Sequence, residues 1–185
     1  MFLNKVSCFL DVKGLIITSK GIEETASLEI RELLNADCKI EEGCVIFDFG
    51  NFRDLCLLCY KLQSADRVLY LIENFEFDDF FEDIEGAIKR ADFGSWVEKC
   101  GKFRVECMRI GVHKFNSADV EKRVAGFIAK KSKNKKVGFK DHEIIFFVYI
   151  MNSRCYFGVD FAGFELNKRA YKIFLHSNSL RGTIA

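Results

Sequence analysis

The 185-residue chain contains no proline, where typical usage of about 5% would place roughly nine. Any chemistry that depends on a prolyl motif is therefore excluded. Histidine is scarce as well. Only His113, His142 and His176 are present, too dispersed to suggest a nucleophile, base and orienting group. Long hydrophobic runs are missing. The longest, Ile144 to Met151, is broken by Tyr149 and falls far short of the roughly 20 residues of a membrane-spanning helix. The N-terminus has one early lysine and then Asp11, without the apolar stretch and small-residue cleavage site of a secretory signal. These absences lead to the expectation of a cytoplasmic protein with no membrane partner.

Cysteine is present but in no metal-binding pattern. Cys8, Cys38, Cys44, Cys56, Cys59, Cys100, Cys107 and Cys155 sit mostly inside apolar patterns, as small core hydrophobes do in a reducing compartment. Cys56 and Cys59 form one CxxC, but zinc needs a second ligand pair, and no matching CxxC or HxxxH exists. The motif reads as a buried helix face, and no metal site is expected. Catalytic signatures are equally thin. A dinucleotide or methyl-donor site needs a strand, a glycine-rich turn opening a helix, and an acid about 20 residues on. Gly158-Val159-Asp160-Phe161-Ala162-Gly163 has the glycines without the helix. No P-loop occurs, and no catalytic residue is expected.

What is present is an uneven distribution of charge. The net charge is only +1, but residues 1–100 carry 11 Lys and Arg against 20 Asp and Glu, a net of −9, and residues 101–185 carry 17 against 7, a net of +10. Such asymmetry suits a C-terminal half that meets polyanions, or two halves that pair with each other. The apolar periodicity predicts two α+β units. The first runs as a strand at Leu15–Thr18 preceded by extended chain from Val6, a helix at Ile22–Leu34, a hairpin at Cys38–Ile40 and Cys44–Phe49, a helix capped by Asn51 with Asp54, and a strand at Arg67–Phe77. This β-α-β-β-α-β order is ferredoxin-like. The second has a helix opened by Asp78 and Asp79, a strand at Lys102–Met108, and a helix at Ala118–Lys130 that is capped by Ser117 and buries Val120, Val124, Phe127 and Ile128. Strands at Glu143–Met151 and Arg154–Phe161 complete it.

Two segments suit anion binding. In Arg109-Ile110-Gly111-Val112-His113-Lys114-Phe115-Asn116-Ser117-Ala118-Asp119, basic residues stand in a loop before a helix start, whose free N–H groups and partial positive charge attract phosphate; Gly111 would let the backbone come close to a partner. In Gly158 to Lys172, a strand and glycine turn lead to Lys168, Arg169, Tyr171 and Lys172, cations that can neutralise phosphates beside a ring that can stack or pack in the core. Six lysines within residues 130–140 read as a solvated loop.

Together these segments resemble the THUMP domain of 4-thiouridine synthases, RNA methylases and pseudouridine synthases. The first signature is Phe103-Arg104-Val105 through Arg109-x-Gly111-x-His113-x-Phe115-x-Ser117-x-Asp119. The second is Gly158-Val159-Asp160-x-x-Gly163-x-x-Leu166-x-Lys168-Arg169-x-Tyr171. Upstream, Thr18 to Glu24 and Leu62 to Val68 resemble the N-terminal ferredoxin-like domain of tRNA and rRNA guanine-N2 methyltransferases. The tail from Phe174 to Ala185 resembles their entry into the catalytic domain. Lys20 and Ser177 stand where relatives usually have proline, and Ala170 where they usually have glycine.

The resemblance implies a ferredoxin-like domain at 1–75 packed on an α/β THUMP domain at 76–172, with a tail at 173–185 leading toward a methyltransferase domain. It implies binding of the tRNA acceptor stem and 3′ end, with Arg109, His113, Lys114, Ser117, Lys168, Arg169 and Lys172 on one RNA-facing surface. Methylation would use S-adenosylmethionine in a separate domain or subunit, because the family's Asn/Asp-Pro-Pro-aromatic motif cannot occur in a chain without proline. Three other readings are a 4-thiouridine synthase module, a stand-alone THUMP adaptor whose acidic half docks a catalytic subunit, and an enzyme acting through Cys56 and Cys59.

Overall fold

The computed structural model describes residues 12–99, 101–132, 136–138 and 141–168. Their elements are β1 (Lys13–Thr18), α1 (Glu23–Leu34), β2 (Cys38–Glu41), β3 (Cys44–Asp48), α2 (Phe52–Lys61), β4 (Ala65–Glu76), α3 (Phe80–Arg90), α4 (Gly94–Lys99), β5 (Lys102–Ile110), α5 (Ser117–Lys131), β6 (Lys136–Val137), β7 (Ile144–Met151) and β8 (Arg154–Asp160). The class is α+β. The strands form one mixed sheet in the order β2-β3-β1-β4-β8-β7-β5-β6. β5 runs parallel to β6 and β7, and the other pairings are antiparallel. Val6 to Asp11 and the tail after Lys168 lie outside the described residues.

Local chemistry accounts for most element boundaries. Asn51 accepts the Arg53 N–H while Asp54 reaches back to the Asn51 N–H, a reciprocal capping box that starts α2. Asp79 accepts from the N–H groups of Phe81 and Glu82 and starts α3. Lys131 closes the end of the same helix. Its ammonium donates to the carbonyls of Ile88, Lys89 and Ala91, so this exposed member of the lysine run caps a helix C-terminus.

β4 holds the two halves together. Its 12 residues pair with β1 over Ala65–Leu71 and with β8 over Leu69–Glu76, through a bulge after Leu71. Gly158 sits at that bulge, where a Cβ would lie 2.4 Å from the Tyr70 carbonyl oxygen, so only glycine permits the approach. Tyr70 packs against both helix-side clusters, which places all helices on one face of the sheet. There Phe52 of α2, Trp96 of α4, Tyr70 and Phe161 form a connected set of rings, with centroid separations of 5.3–5.9 Å.

The opposite face is apolar too. Leu15, Ile17, Cys44, Ile46, Leu69, Leu71, Ile145, Phe147, Tyr149, Met151 and Tyr156 are all buried there. The sheet curls so that the two ends of this face meet. β2 and β8 are four places apart in strand order, roughly 19 Å on a flat sheet. Yet Glu41 of β2 accepts from both Tyr156 and Arg154 of β8. A Cβ on Gly43 would lie 2.6 Å from the Tyr149 hydroxyl oxygen. Strand twist accumulated over eight strands closes the face on itself.

Candidate nucleic-acid interface

The first basic segment folds at the end of the sheet where β5 meets α5. β5 extends to Ile110, so Arg109 stands in the strand and not in the following loop. Gly111 then turns with φ of 112°, and a Cβ there would lie 2.8 Å from Asn152 Oδ1. Its freedom serves the packing of the loop on the β7–β8 hairpin, a use inside the protein that differs from the close partner approach expected of it. Asn152 N–H donates to the Ile110 carbonyl, and His113 Nε2 lies 2.7 Å from the Asn152 carbonyl oxygen.

A carbonyl can only accept, so Nε2 carries a proton. In the neutral ring Nδ1 is then the acceptor, and Arg109 Nη1 stands 3.5 Å from it. His113 also stacks on Phe115 with centroids 5.1 Å apart. Both ring nitrogens are thus engaged within the protein, and the histidine acts on the site by fixing Arg109. Lys114 is exposed beside it, and Val112 at the loop tip is fully exposed.

The helix start differs from expectation. Asn116, not Ser117, is the N-cap of α5. Its side chain accepts the Asp119 N–H at 2.8 Å and Asp119 answers to the Asn116 N–H, a second capping box. Asparagine won because its longer side chain reaches the third residue of the helix while Asp119 is placed to reciprocate. Ser117 becomes the first helical residue, with its side chain hydrogen-bonded to Cys107 of β5. Burial pushes the Cys107 thiol up to about 12, and that hydrogen bond opposes the rise. The N–H groups of Ser117 and Ala118 have no acceptor among the described residues. Phe127 also departs from expectation: it is half-buried, and Ala125 takes the buried position instead.

The second segment lies elsewhere. Asp160 ends β8, where its carboxylate pairs with the buried guanidinium of Arg67 and accepts from the N–H groups of Ala162 and Gly163. Burial pushes the Asp160 carboxyl up, against the pull of Arg67. Leu166 N–H then binds the Asp66 carbonyl at the start of β4. By register, Arg109 is level with Ile150, Cys155 and Phe75, nine residues along β4 from Asp66, or roughly 30 Å of strand. The expected single surface is therefore corrected. Arg109, His113, Lys114 and Ser117 come together, and Lys168 stands at the opposite end of the sheet, because β8 runs antiparallel to β7 and carries the chain away. Lys168 is exposed and pairs with Glu165 at 3.0 Å, a surface contact of little energetic weight. Arg169 and Lys172 lie outside the described residues.

Part of the charge asymmetry is used between the halves. Arg154 of the positive half binds Glu41 and Glu76 of the negative half, and Arg67 bridges Asp160 and Glu106. Arg109 and Lys114 form no ion pair with a described residue, which leaves them free to meet an anion. Among the described residues no cluster of His, Cys, Asp and Glu could hold a metal ion, and no helix is long and apolar enough to cross a membrane.

Comparison with known proteins agrees with this architecture. Residues 79–160 match the THUMP domain, and residues 15–69 match the RlmL ferredoxin-like domain. The chain is similar to the tRNA (guanine(6)-N2)-methyltransferase of Archaeoglobus fulgidus, 29% identical over 188 residues, which cover 95% of this chain and 46% of that protein. The protein of the same name from Methanocaldococcus jannaschii is 27% identical over 180 residues, covering 92% and 47%. The chain therefore spans about half the length of these curated relatives. Among solved structures, TrmN from Thermus thermophilus shares the fold, with a TM-score of 0.69 at 21% identity over 85% of this chain and 48% of that one.

Proposed function

We propose that this chain, a THUMP domain at residues 79–160 behind an RlmL-type ferredoxin-like domain at 15–69, is the tRNA-gripping part of an S-adenosylmethionine-dependent tRNA guanine-N2 methyltransferase. The observation that carries the reading is the pairing of these two domains in one chain. The near-full coverage of this chain by two relatives named for that reaction supports it. The geometry supplies the means. Arg109 and Lys114 present cations, His113 fixes Arg109, and Ser117 and Ala118 offer free helix-start N–H groups, a combination suited to phosphate oxygens of the acceptor stem and 3′ end. Lys168 is a second point of contact in this reading, and Arg169 and Lys172, proposed with it, lie outside the described residues. Two cationic points roughly 30 Å of strand apart call for a structured RNA longer than a dinucleotide.

The described residues do not fit S-adenosylmethionine. Among the described residues after β8, 161–168, the glycine turn leads into further turns and no helix, and the Asp160 carboxylate is committed to Arg67. The cofactor and the reacting guanine belong, in this proposal, to the part of such an enzyme that this chain does not span.

Titration of a labelled tRNA with the chain over a range of salt concentrations tests the reading. Arg109→Ala and Lys114→Ala should each weaken binding and lower the slope of log K against log salt by about 1. If neither variant changes the affinity or the slope, this site does not grip RNA.

A further inference from the structure

β2 is an edge strand of the sheet, and its outer side is open. Glu41 and Cys44 close a two-residue turn, so the backbone groups of Glu41 and Lys39 point into the ladder with β3 while those of Ile40 and Cys38 point out. The outward N–H and C=O groups of Cys38 and Ile40 have no partner among the described residues. Such an edge is a template for pairing with another chain. Ile40 beside it is 45% exposed.

α1 lies over this edge. Cys38 Sγ stands 3.9 Å from the Ser27 carbonyl oxygen, which puts the middle of α1 level with the start of β2. On one flank of the helix Glu29 accepts from the N–H groups of Gln63 and Ser64. The other flank, which carries Glu24, Leu28 and Arg31 at helical spacing, therefore overhangs β2. All three are exposed, Leu28 by 58%. Glu24, Arg31 and the exposed Asp37 form no ion pair with a described residue. Lys39 leans on Glu41 of its own strand, yet its side chain is 69% exposed.

Two charge patterns share one centre. On α1, Glu24 and Arg31 stand symmetrically about Ser27 and Leu28. On β2, Asp37 and Lys39 stand symmetrically about Cys38, which lies against Ser27. Each pattern is its own complement under a two-fold rotation, as an isologous contact requires. Antiparallel pairing of β2 with β2 of a second copy, centred on Cys38, satisfies the outward backbone groups of Cys38. It sets Lys39 opposite the second copy's Asp37 in a pair whose side chains stand close. It also brings Ile40 to Ala36, Glu24 to Arg31, and Leu28 to Leu28. Centring on Ile40 would instead match Lys39 with Glu41, whose carboxylate Arg154 and Tyr156 already hold, and would carry the two α1 flanks out of step.

We infer that this edge is a self-association surface, which joins two copies of the chain about a two-fold axis through β2 and the overhanging flank of α1. The charges that guard a short edge strand against indiscriminate pairing are arranged here so that one register, with one partner, is attractive. The inference does not rest on the RNA reading, because neither basic segment takes part in it.

Sedimentation of the full 185-residue chain under reducing conditions should show a concentration-dependent equilibrium between monomer and dimer. Glu24→Arg and Arg31→Glu each turn two attractions into two like-charge contacts, and each should raise the dimer dissociation constant roughly tenfold. An equimolar mixture of the two variants restores opposite charges across the axis and should dimerise as the wild type does, a recovery that no folding defect could produce. Cys38 of the two copies would stand about 5.5 Å apart at Cα, within reach of a disulfide. In a chain carrying Cys56→Ser, which removes an exposed thiol, copper-phenanthroline and dioxygen would take two electrons and two protons from the paired thiols. The resulting S–S bond should link the dimer, and Cys38→Ser should abolish the link. A wild-type chain that stays monomeric at every concentration, or a dimer indifferent to both charge reversals, would overturn the interface. A dimer that obeys the charge reversals but does not link through Cys38 would overturn the register.

Discussion

The Tyr156 hydroxyl of β8 donates to the Glu41 carboxylate of β2, although the two strands stand four places apart in the sheet. Arg154 binds the same carboxylate at 2.8 Å and Lys39 its other oxygen at 2.7 Å. This one acid therefore ties the ferredoxin-like half to the THUMP half across the concave face. It does so at the end of the sheet where β7 turns into β8, next to the hairpin that holds His113.

Acid should loosen that tie. Burial alone would raise the Glu41 carboxyl, but hydrogen bonds from Lys39, Tyr156 and Arg154 outweigh it and hold the group at about 2, below its ordinary 4.5. A depressed carboxyl contributes stability that is present above 4.5 and lost as pH falls from 4.5 toward 2. The loss should amount to about 2–3 kcal/mol. Urea unfolding of the wild type and of Glu41→Gln checks this. The variant should be less stable by a comparable amount at pH 7, and the two curves should converge as pH approaches 2.

The Arg67–Asp160 pair makes a different demand. Both residues are buried, 8% exposed each, so removing Asp160 leaves the Arg67 guanidinium with Glu106 alone and takes the acceptor from the Ala162 and Gly163 N–H groups. Asp160→Ala should cost about 3–5 kcal/mol. An Arg67→Met/Asp160→Leu double replacement should recover part of that loss, because it removes the desolvation cost together with the pairing, while Glu106 and the Ala162 and Gly163 N–H groups stay without their partners. Thermal melts of the two proteins side by side decide the matter, and equal losses in both would refute it.

Gly158→Ala should destabilise by about 2–3 kcal/mol, as overpacking does, since the new methyl would stand 2.4 Å from the Tyr70 carbonyl oxygen at the bulge joining β4 to β8. A chemical denaturation midpoint unchanged from wild type would show that the bulge can shift at no cost.

Because Arg109 and Lys168 occupy opposite ends of the sheet, their contributions to tRNA binding should be independent. The Arg109→Ala/Lys168→Ala double variant should lose the sum of the single losses to within about 0.5 kcal/mol, as distant sites do. A coupling well beyond that would mean that the two cations share one phosphate cluster, contrary to the register of β5, β7, β8 and β4.

Thiol labelling of the native chain followed by peptide mass analysis should find Cys56 fast, since it is exposed. Cys44 and Cys59 should be slow, since burial pushes each thiol up to about 12, and Cys155, fully buried, should react only on unfolding. The CxxC is thus split between a solvent position and a packed one, only half of the buried face expected for it.

Several features were legible in the sequence because they are local. Element type follows from apolar period, as in β7 and α3. The capping box at Asn51 and Asp54 follows from side chains three residues apart, and the THUMP and ferredoxin-like assignments from fixed spacings such as Arg109 to Asp119 and Gly158 to Leu166. α4 was missed because it is only six residues long, too short to show an apolar period. At α5 the cap was expected at Ser117, and the extended backbone of Asn116, with its capping box to Asp119, moved it one residue back.

By itself the sequence determined the class of fold, the two units and the excess of positive charge in the second, because period, spacing and composition are properties of neighbours along the chain. Only the tertiary structure decided which cations share a surface. Strand direction in one curled sheet sends Arg109 and Lys168 to opposite ends and brings Tyr156 onto Glu41. No pattern of adjacent residues encodes how the twist of eight strands adds up.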